Sequence, residues 1–180
     1  STVLGESYCI DWATANVTEP ASFSILLTLG NINLADYPIM LGATSIDEVA
    51  GSIEMLGAPA QASTCLQDLS QPTFELTTSG PGTWANPEFV VGPGPMTIDL
   101  TGFATINFEE TIVSGTFTAD GSQIVDGTLD GWMDVSVIPG ACTLLSCQPC
   151  PGNPSANCAA FSAQNIVYNA TGFGALQAIP

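Results

Sequence analysis

The fold of this 180-residue chain is indicated most clearly by residues 111–138, whose sequence is TIVSGTFTADGSQIVDGTLDGWMDVSVI. Apolar and polar side chains alternate with a period of two on both sides of the segment Ala119-Asp120-Gly121. This period is typical of half-buried β-strands, and a short loop that contains Asp-Gly is typical of a hairpin. The stretch therefore predicts a long β-hairpin with one apolar face.

The register of this hairpin depends on the length of its loop. A two-residue loop pairs Phe117 with Ile124, and it turns later polar side chains of the second strand onto the apolar face. A three-residue loop pairs Gly115 with Val125 instead and keeps the apolar side chains of both strands together. The alternation of the sequence therefore favours the three-residue loop.

The rest of the chain also has a pattern typical of β-strands, because short apolar segments lie between Gly- and Pro-rich turns. One short helix is expected at 45–56, with a strand at 52–56 as the alternative, and one helical turn is expected at 141–148. We predict a single domain, 1–180, with an all-β, disulfide-stabilised fold, either an antiparallel β-sandwich or a barrel-like fold. Its strands number about nine and are expected at 8–17, 22–29, 37–41, 73–77, 88–91, 96–108 with a bulge at Gly102, in the two arms of the hairpin, and at 160–171.

The charge of the chain excludes several classes of function. The sequence contains no Lys, Arg or His and 17 acidic residues, which give a formal net charge of −17. No salt bridge between side chains can form within such a chain, and nucleic acid is excluded as a partner because neutralising phosphates needs Lys and Arg. Anionic lipid surfaces and phosphorylated substrates are disfavoured for the same reason. Basic partners and divalent cations remain open.

The even number of cysteines in a β-rich, acidic chain favours disulfides and an oxidising compartment. We expect Cys9 to pair with Cys65, because these two are isolated in the sequence, and the other four to form two local bridges, because short loops close easily. Zinc binding is the alternative, but only 147–150 has a suitable spacing and no histidine is present. The six cysteines are Cys9, Cys65, Cys142, Cys147, Cys150 and Cys158.

The last third of the chain resembles a known group of proteins. The segments SGTF at 114–117 and DGTLDG at 126–131 are followed by CTLLSCQPCPG at 142–152 and by Cys158. This order is similar to the C-terminal part of secreted or lipid-anchored, cysteine-containing β-domain proteins of myxobacteria and related deltaproteobacteria. The resemblance implies a surface location and local disulfides, and it implies no particular activity. The lack of basic residues departs from that group.

Four aspartates of the hairpin are candidate calcium ligands. Asp126, Asp130 and Asp134 are spaced four apart, so along a strand they lie on one face but roughly 13 Å from each other. They cannot share one ion, and each would need oxygen ligands from a neighbouring strand or loop, for example from Asp120 or Glu110. The alternative is a solvated acidic face without a bound ion.

The sequence predicts that the protein is not an enzyme. Without His or Lys there is no usual base for a Ser or Cys nucleophile, and no cationic side chain can stabilise an oxyanion. A pair of carboxylates is the one remaining catalytic device, with Glu109 or Glu110 and Asp99 as nominal candidates for a glycosidase. We expect no cofactor, apart from the calcium considered above.

Two kinds of residue are candidates for contact with carbohydrate: tryptophans that could bind a glycan and asparagines that could carry one. Trp12, Trp84 and Trp132 are candidates for lining a glycan or small-molecule site, and Trp132 stands out because it falls on the polar face of the hairpin. A tryptophan covered by a loop is the alternative. Asn16 and Asn169 fit the N-glycosylation pattern, which matters only in a host with that machinery.

These observations favour a non-enzymatic, extracellular or cell-surface protein that has a structural or interaction role. Only 9% of the residues are charged, which leaves neutral surface for burial between copies of the chain or against other surface proteins. No apolar run is long enough for a transmembrane segment. The protein could instead be held at the cell surface by a lipid anchor before Ser1 or as a subunit of a filament. The alternative is a binding module whose curved sheet holds a small apolar ligand or a glycan.

Overall fold

The computed structural model describes residues 3–100 and 104–180. Almost all of its regular structure in these residues is β-strand, joined by two short α-helices and one 3-10 helix at Leu34–Asp36. In chain order the elements are β1 (Tyr8–Asp11), β2 (Asn16–Glu19), α1 (Phe23–Leu29), β3 (Ile39–Asp47), β4 (Ser52–Pro59), β5 (Phe74–Glu75), β6 (Gly82–Ala85), β7 (Glu88–Leu100), β8 (Ala104–Phe117), β9 (Gln123–Asp134), α2 (Ala141–Leu144), β10 (Gln148–Cys150) and β11 (Asn153–Ala170).

The strands form one antiparallel sheet that closes on itself. Its order is β1-β3-β4-β6-β7-β8-β9-β11, and β11 pairs with β1 to complete the ring. The long strand β11 pairs with β9 along one edge and with β10, β2 and β1 in succession along the other. The predicted antiparallel, disulfide-stabilised all-β fold is confirmed, in its barrel-like form, and the closure removes the free edges that an open sheet exposes.

The central hairpin is present as β8 and β9, but its predicted register is wrong. Phe117 pairs with Ile124, as in the register that we rejected. A bulge in β9 follows, where Asp126 adopts a left-handed φ of +51°. The bulge shifts the register and brings the apolar side chains of the two strands back to the same face. Beyond the bulge Val113 pairs with Leu129, and both are buried. The bulge in β9, and not a three-residue loop, therefore keeps the apolar side chains of both strands together.

The strand predicted at 22–29 is a helix. Phe23 and Leu26, three residues apart, are the buried side chains of α1, and the Phe23 ring packs edge-on against Phe161 at 5.3 Å. A short apolar run does not distinguish a strand from a helix by its period, which explains the error.

No helix in the described ranges is both long enough and apolar enough to cross a membrane.

The helix predicted at 45–56 is a β-hairpin, so the alternative strand at 52–56 is confirmed. Strands β3 and β4 pair through Ile46 and Ile53. Between them, the carboxylate of Asp47 accepts hydrogen bonds from the backbone N–H groups of Val49 and Ala50, both at 2.9 Å. The apolar positions that suggested a helical period belong to two strands on either side of this turn.

Strand β7 continues through 92–95, the Gly-Pro-Gly-Pro segment that separates the strands predicted at 88–91 and 96–108. The register shifts between Val91 and Gly94, and the sheet continues to Leu100. The strand predicted at 96–108 is in fact the end of β7 and the start of β8, paired to each other through Leu100 and Ala104. The bulge expected at Gly102 lies outside the described residues.

Other boundaries differ less. The first predicted strand is divided into β1 and β2, and the expected helical turn near 141–148 is present as α2. The last strand begins at Asn153, earlier than expected, because the disulfide-linked segment before it also joins the sheet through β10. All six cysteines pair as expected, in the bridges Cys9–Cys65, Cys142–Cys147 and Cys150–Cys158.

The interior of the closed sheet is filled by large side chains. Phe117 lies among three other aromatic rings, with ring centroids 5.2–5.9 Å away in Tyr8, Trp84 and Phe89. At the other end, Phe161 packs edge-on against Phe108 at 5.4 Å. The largest fully buried side chains include Tyr8, Ile39, Met40, Leu41, Ile53, Met55, Leu76, Phe89, Met96, Leu100, Ile124 and Tyr168.

Candidate functional site

Three of the four candidate calcium ligands accept hydrogen bonds from neighbouring groups: Asp120, Asp130 and Asp134. Asp120 lies in the β8–β9 turn, where its Oδ1 accepts bonds from Thr118 and from the backbone and hydroxyl of Ser122. These bonds lower the pKa of Asp120 to about 2. The other three behave differently: Asp126 is exposed at the bulge, Asp130 accepts from the Ser162 hydroxyl at 2.5 Å, and Asp134 accepts from the Ser136 N–H at 2.9 Å.

The carboxylates are spread over the sheet. Within 3–100 and 104–180, no three acidic or cysteine side chains are placed where they could jointly hold a metal ion. Glu110, suggested as a partner ligand, occupies a second bulge, in β8, with φ +52°. Calcium binding at any single aspartate stays a prediction.

The nominal catalytic carboxylates Asp99 and Glu109 lie at different levels along the β7–β8 pair. Asp99 pairs with Thr105 across β7 and β8, and Glu109 lies four residues further along β8. Their backbone positions are therefore offset by about 13 Å along the strands, at about 3.3 Å per residue. Each also has a local partner: Asp99 accepts from the Gln71 amide at 3.1 Å and Glu109 from the Gly152 N–H at 2.6 Å.

The three tryptophans lie in different parts of the molecule. The Trp12 indole N–H donates to the Tyr37 carbonyl at 3.0 Å, and Trp84 is almost fully buried inside the sheet. Trp132 is half-buried on the outer face, where it packs against the Cys150–Cys158 disulfide and Ala156. They do not form one aromatic platform. Trp132 is partly covered by the β10–β11 hairpin, which was the alternative considered from the sequence.

The two asparagines of the glycosylation pattern are exposed. Asn16 begins β2, and Asn169 lies near the end of β11. The side-chain oxygen of Asn169 accepts a hydrogen bond from the Gln123 amide at 2.8 Å. A glycan would be attached to the side-chain nitrogen of Asn169, which leaves this acceptor oxygen in place.

A different surface emerges from the distribution of charge. All seventeen acidic residues lie between Glu6 and Asp134, and none occurs at 20–35 or at 135–180. The fold brings parts of these two uncharged segments together, because the Ser22 hydroxyl donates to the Leu144 carbonyl at 3.1 Å. The helices α1 and α2 are thus neighbours on a surface without carboxylates of their own.

Between these helices and β11 lies a groove of about 420 Å³. Of the residues that line it, Glu19 is the one with a charge, and it stands where β2 ends. The others are Pro20, Ala21, Ser22, Leu144, Leu145, Ser146, Ala159 and Ala160.

Two aliphatic side chains of α1 extend this surface. Ile25 and Leu29 are 52% and 70% exposed, and they follow Ser22 at spacings that place all three on one side of the helix. We call Ile25, Leu29 and the uncharged residues of the groove the uncharged face. The Cys142–Cys147 disulfide braces α2 within it.

Sequence analysis missed the uncharged face, although part of its signal was visible. The gaps in the distribution of acidic residues can be counted in the sequence, but nothing there places 20–35 beside 141–146.

The chain matches no protein-family model, no curated protein and no solved structure. The resemblance of the last third to myxobacterial surface proteins therefore stays a prediction.

Proposed function

We propose that the protein is a non-enzymatic, extracellular structural or interaction protein, and that its uncharged face is the surface by which it associates with a second copy. The separation of charge carries this proposal. A chain with a net charge of −17 repels its own copies wherever two acidic surfaces meet. Contact through the uncharged face keeps most carboxylates of the two copies apart, where salt screens them over about 8 Å.

The exposed aliphatic side chains supply the attraction. Ile25, Leu29 and Leu144 are large apolar side chains in contact with water on one copy. Full burial of such a side chain contributes about 1.5–3 kcal/mol. Clustered around an apolar groove, they are the kind of surface that usually marks an interaction site.

Two further observations support an extracellular and non-enzymatic role. The three disulfides suit an oxidising compartment, which agrees with display outside the cell. The chain has no Lys, Arg or His side chain to assist the carboxylates considered for catalysis.

The alternative of an apolar ligand inside the curved sheet receives less support. Large buried side chains fill the described interior, among them Tyr8, Phe89, Met96 and Tyr168. A ligand of that kind would have to displace them.

The proposal is tested by sedimentation of the pure protein over a wide range of concentration and salt. We expect a self-associating species that is strengthened by salt. The double variant Ile25→Asp with Leu29→Asp should be monomeric. The matched control, Val49→Asp with Val90→Asp, adds the same charge at exposed aliphatic positions outside the uncharged face and should still associate.

Two results would contradict the proposal. One is a wild-type protein that is monomeric at every concentration and salt. The other is an equal loss of association in both double variants, because general charge repulsion and not the uncharged face would then explain it. Circular dichroism of each variant establishes that the sheet is intact.

A further inference from the structure

A second groove lies on the outer face of the sheet, next to the groove of the uncharged face. It has a volume of about 520 Å³ and extends over β8, β9, β11 and the end of β2. The two grooves share Glu19 and Ala160, but the second is also bordered by Glu110 and Asp130. We call this second groove the acidic groove.

The strand register shows which carboxylates face the acidic groove. Leu129 is fully buried, so the next residue, Asp130, points to the outer face, where the Ser162 hydroxyl donates to it at 2.5 Å. Ser162 pairs with Asp130 on one side and with the exposed Glu19 on the other. Cross-strand partners share a face of the sheet. The two carboxylates therefore flank Ser162, on backbones that are roughly 10 Å apart, or two strand spacings.

Trp132 lies beside these carboxylates. It follows Asp130 by two residues in β9, so it shares the outer face and stands about 7 Å further along the strand. Its partner on β11 is Ala160, a side chain too small to cover the indole ring, and Trp132 is half-buried. On β8, Ile112 pairs with Asp130 and is 38% exposed. The groove thus combines carboxylates with aromatic and aliphatic surface.

The charge of the groove restricts what it can bind. The chain has no Lys, Arg or His to neutralise its carboxylates, and an ionised carboxylate accepts hydrogen bonds but donates none. The Ser162 hydroxyl already donates to Asp130. An anion is repelled, and a neutral hydroxyl compound supplies donors but no charge. A cation supplies both, and it is also attracted to the face of a tryptophan ring.

We propose that the acidic groove docks a basic partner protein through an arginine side chain, whose guanidinium group lies above Ser162 between the carboxylates of Asp130 and Glu19. Guanidinium is planar and presents several N–H donors, which suits two flanking carboxylates, and it stacks on aromatic rings such as that of Trp132. The charge of −17 adds a long-range attraction for a basic protein. A second copy of the chain cannot fill this role, because it has no basic side chain to offer. The docking is therefore distinct from the association of copies proposed above.

The test follows the NMR spectrum of the ¹⁵N-labelled protein during titration with N-acetylarginine amide at low salt. N-acetylcitrulline amide is the matched ligand control, because it has nearly the same shape but no charge. We expect the arginine derivative to shift the Trp132 indole N–H together with the backbone amide of Ser162, and the citrulline derivative to leave both in place. The Trp12 indole should not respond to either compound. Added salt should weaken the binding.

Three variants locate the site. Asp130→Asn keeps an acceptor for the Ser162 hydroxyl but removes the charge, and it should weaken binding about tenfold. Trp132→Leu removes the ring and should weaken binding about threefold. The control Asp126→Asn removes the same charge from an exposed position of the same strand, outside the groove, and should bind like the wild type.

Glu19→Gln covers the case in which Asp130→Asn does not fold. It changes an exposed side chain and should weaken binding about threefold. The inference is overturned if the arginine derivative does not move the Trp132 resonance, or if the citrulline derivative moves it equally. It is also overturned if Asp130→Asn and Glu19→Gln weaken binding no more than Asp126→Asn, because the overall charge would then explain the attraction. A shift of Trp132 by glucose but not by the arginine derivative would assign the groove to a glycan instead.

Discussion

The Tyr8 hydroxyl donates a hydrogen bond to the Gly121 carbonyl at 2.9 Å, which ties the first strand of the ring to the β8–β9 turn. Burial raises the pKa of Tyr8 to about 12, and the nearby carboxylates of Glu6 and Asp120 add to this effect. Burial also raises the pKa of Tyr168, whose hydroxyl has no hydrogen-bond partner among the described residues. The fold therefore keeps both phenols neutral.

Alkaline pH should destabilise the protein in a defined window. In the unfolded chain Tyr8 ionises near its usual pKa of 10.0, whereas in the fold it ionises near 12. The stabilising effect of the neutral phenol is complete below pH 10.0 and is lost as the pH rises towards about 12. We expect the melting temperature to fall through this window, more steeply in the wild type than in Tyr8→Phe.

The absorbance of tyrosinate provides the second measurement. The signals assigned to Tyr8 and Tyr168 should appear only at higher pH or together with unfolding. Tyr37→Phe serves to assign the remaining tyrosine. If all three tyrosines ionise near the usual pKa while circular dichroism still reports a folded sheet, the described burial of Tyr8 and Tyr168 is wrong.

Acid should act through Asp120. Its pKa is lowered from 3.8 to about 2 by the bonds from Ser122 and Thr118, so its ionised form stabilises the turn. That contribution is present above pH 3.8 and is lost as the pH falls through about 2. We expect Asp120→Asn to melt at a lower temperature than the wild type near neutral pH, and the difference to vanish near the lower value.

A control separates this local effect from a change in net charge. Glu88→Gln also removes one negative charge, and its carboxylate is not part of the turn. This variant should melt no lower than the wild type, because removing one of seventeen like charges reduces repulsion. Equal destabilisation by Asp120→Asn and Glu88→Gln would show that the hydrogen bonds of Asp120 contribute nothing specific.

The three disulfides should differ in their effect on stability. Cys9–Cys65 joins residues 56 apart, whereas Cys142–Cys147 joins residues 5 apart. By the loop-entropy estimate, the longer loop contributes about 4 kcal/mol and the shorter about 2 kcal/mol to the free energy of unfolding. Replacing both cysteines of each pair by alanine, followed by denaturant unfolding, measures the two contributions. A smaller loss for Cys9 and Cys65 than for Cys142 and Cys147 would contradict the estimate.

The sequence was sufficient to predict the class of fold because alternation and cysteine count are local signals. The period of two around the β8–β9 turn and the isolation of Cys9 and Cys65 both led to correct expectations. The register was not predictable in the same way. It depends on the left-handed conformation of Asp126, which a non-glycine residue adopts at a cost that surrounding sheet contacts must offset.

The candidate surfaces were less predictable because they depend on contacts between distant residues. The hydrogen bond between Ser22 and Leu144 spans 122 positions in the chain. The apolar run at 23–29 forms α1, and its Phe23 packs against Phe161, a contact with no signal in the sequence.

The last prediction concerns the contact between Gly57 of β4 and Phe74 of β5. These residues pair in the sheet, and the Phe74 ring lies where a side chain on Gly57 would be. Gly57→Ala should therefore force the ring to move and lower the free energy of unfolding by about 1–3 kcal/mol. Gly42→Ala is the control, because its added methyl group would approach the Leu176 side chain at 3.3 Å, which a small shift of that side chain relieves, and it should cost less.

A double-mutant cycle shows whether the ring is the cause. Phe74→Leu removes the ring, so Gly57→Ala should be better tolerated in that background than in the wild type. Denaturant unfolding of the four proteins gives the coupling energy, which we expect to be about 0.5–3 kcal/mol for residues in direct contact. If the two substitutions are additive, the ring does not occupy the space above Gly57, and the pairing of β4 with β5 in solution differs from the one described.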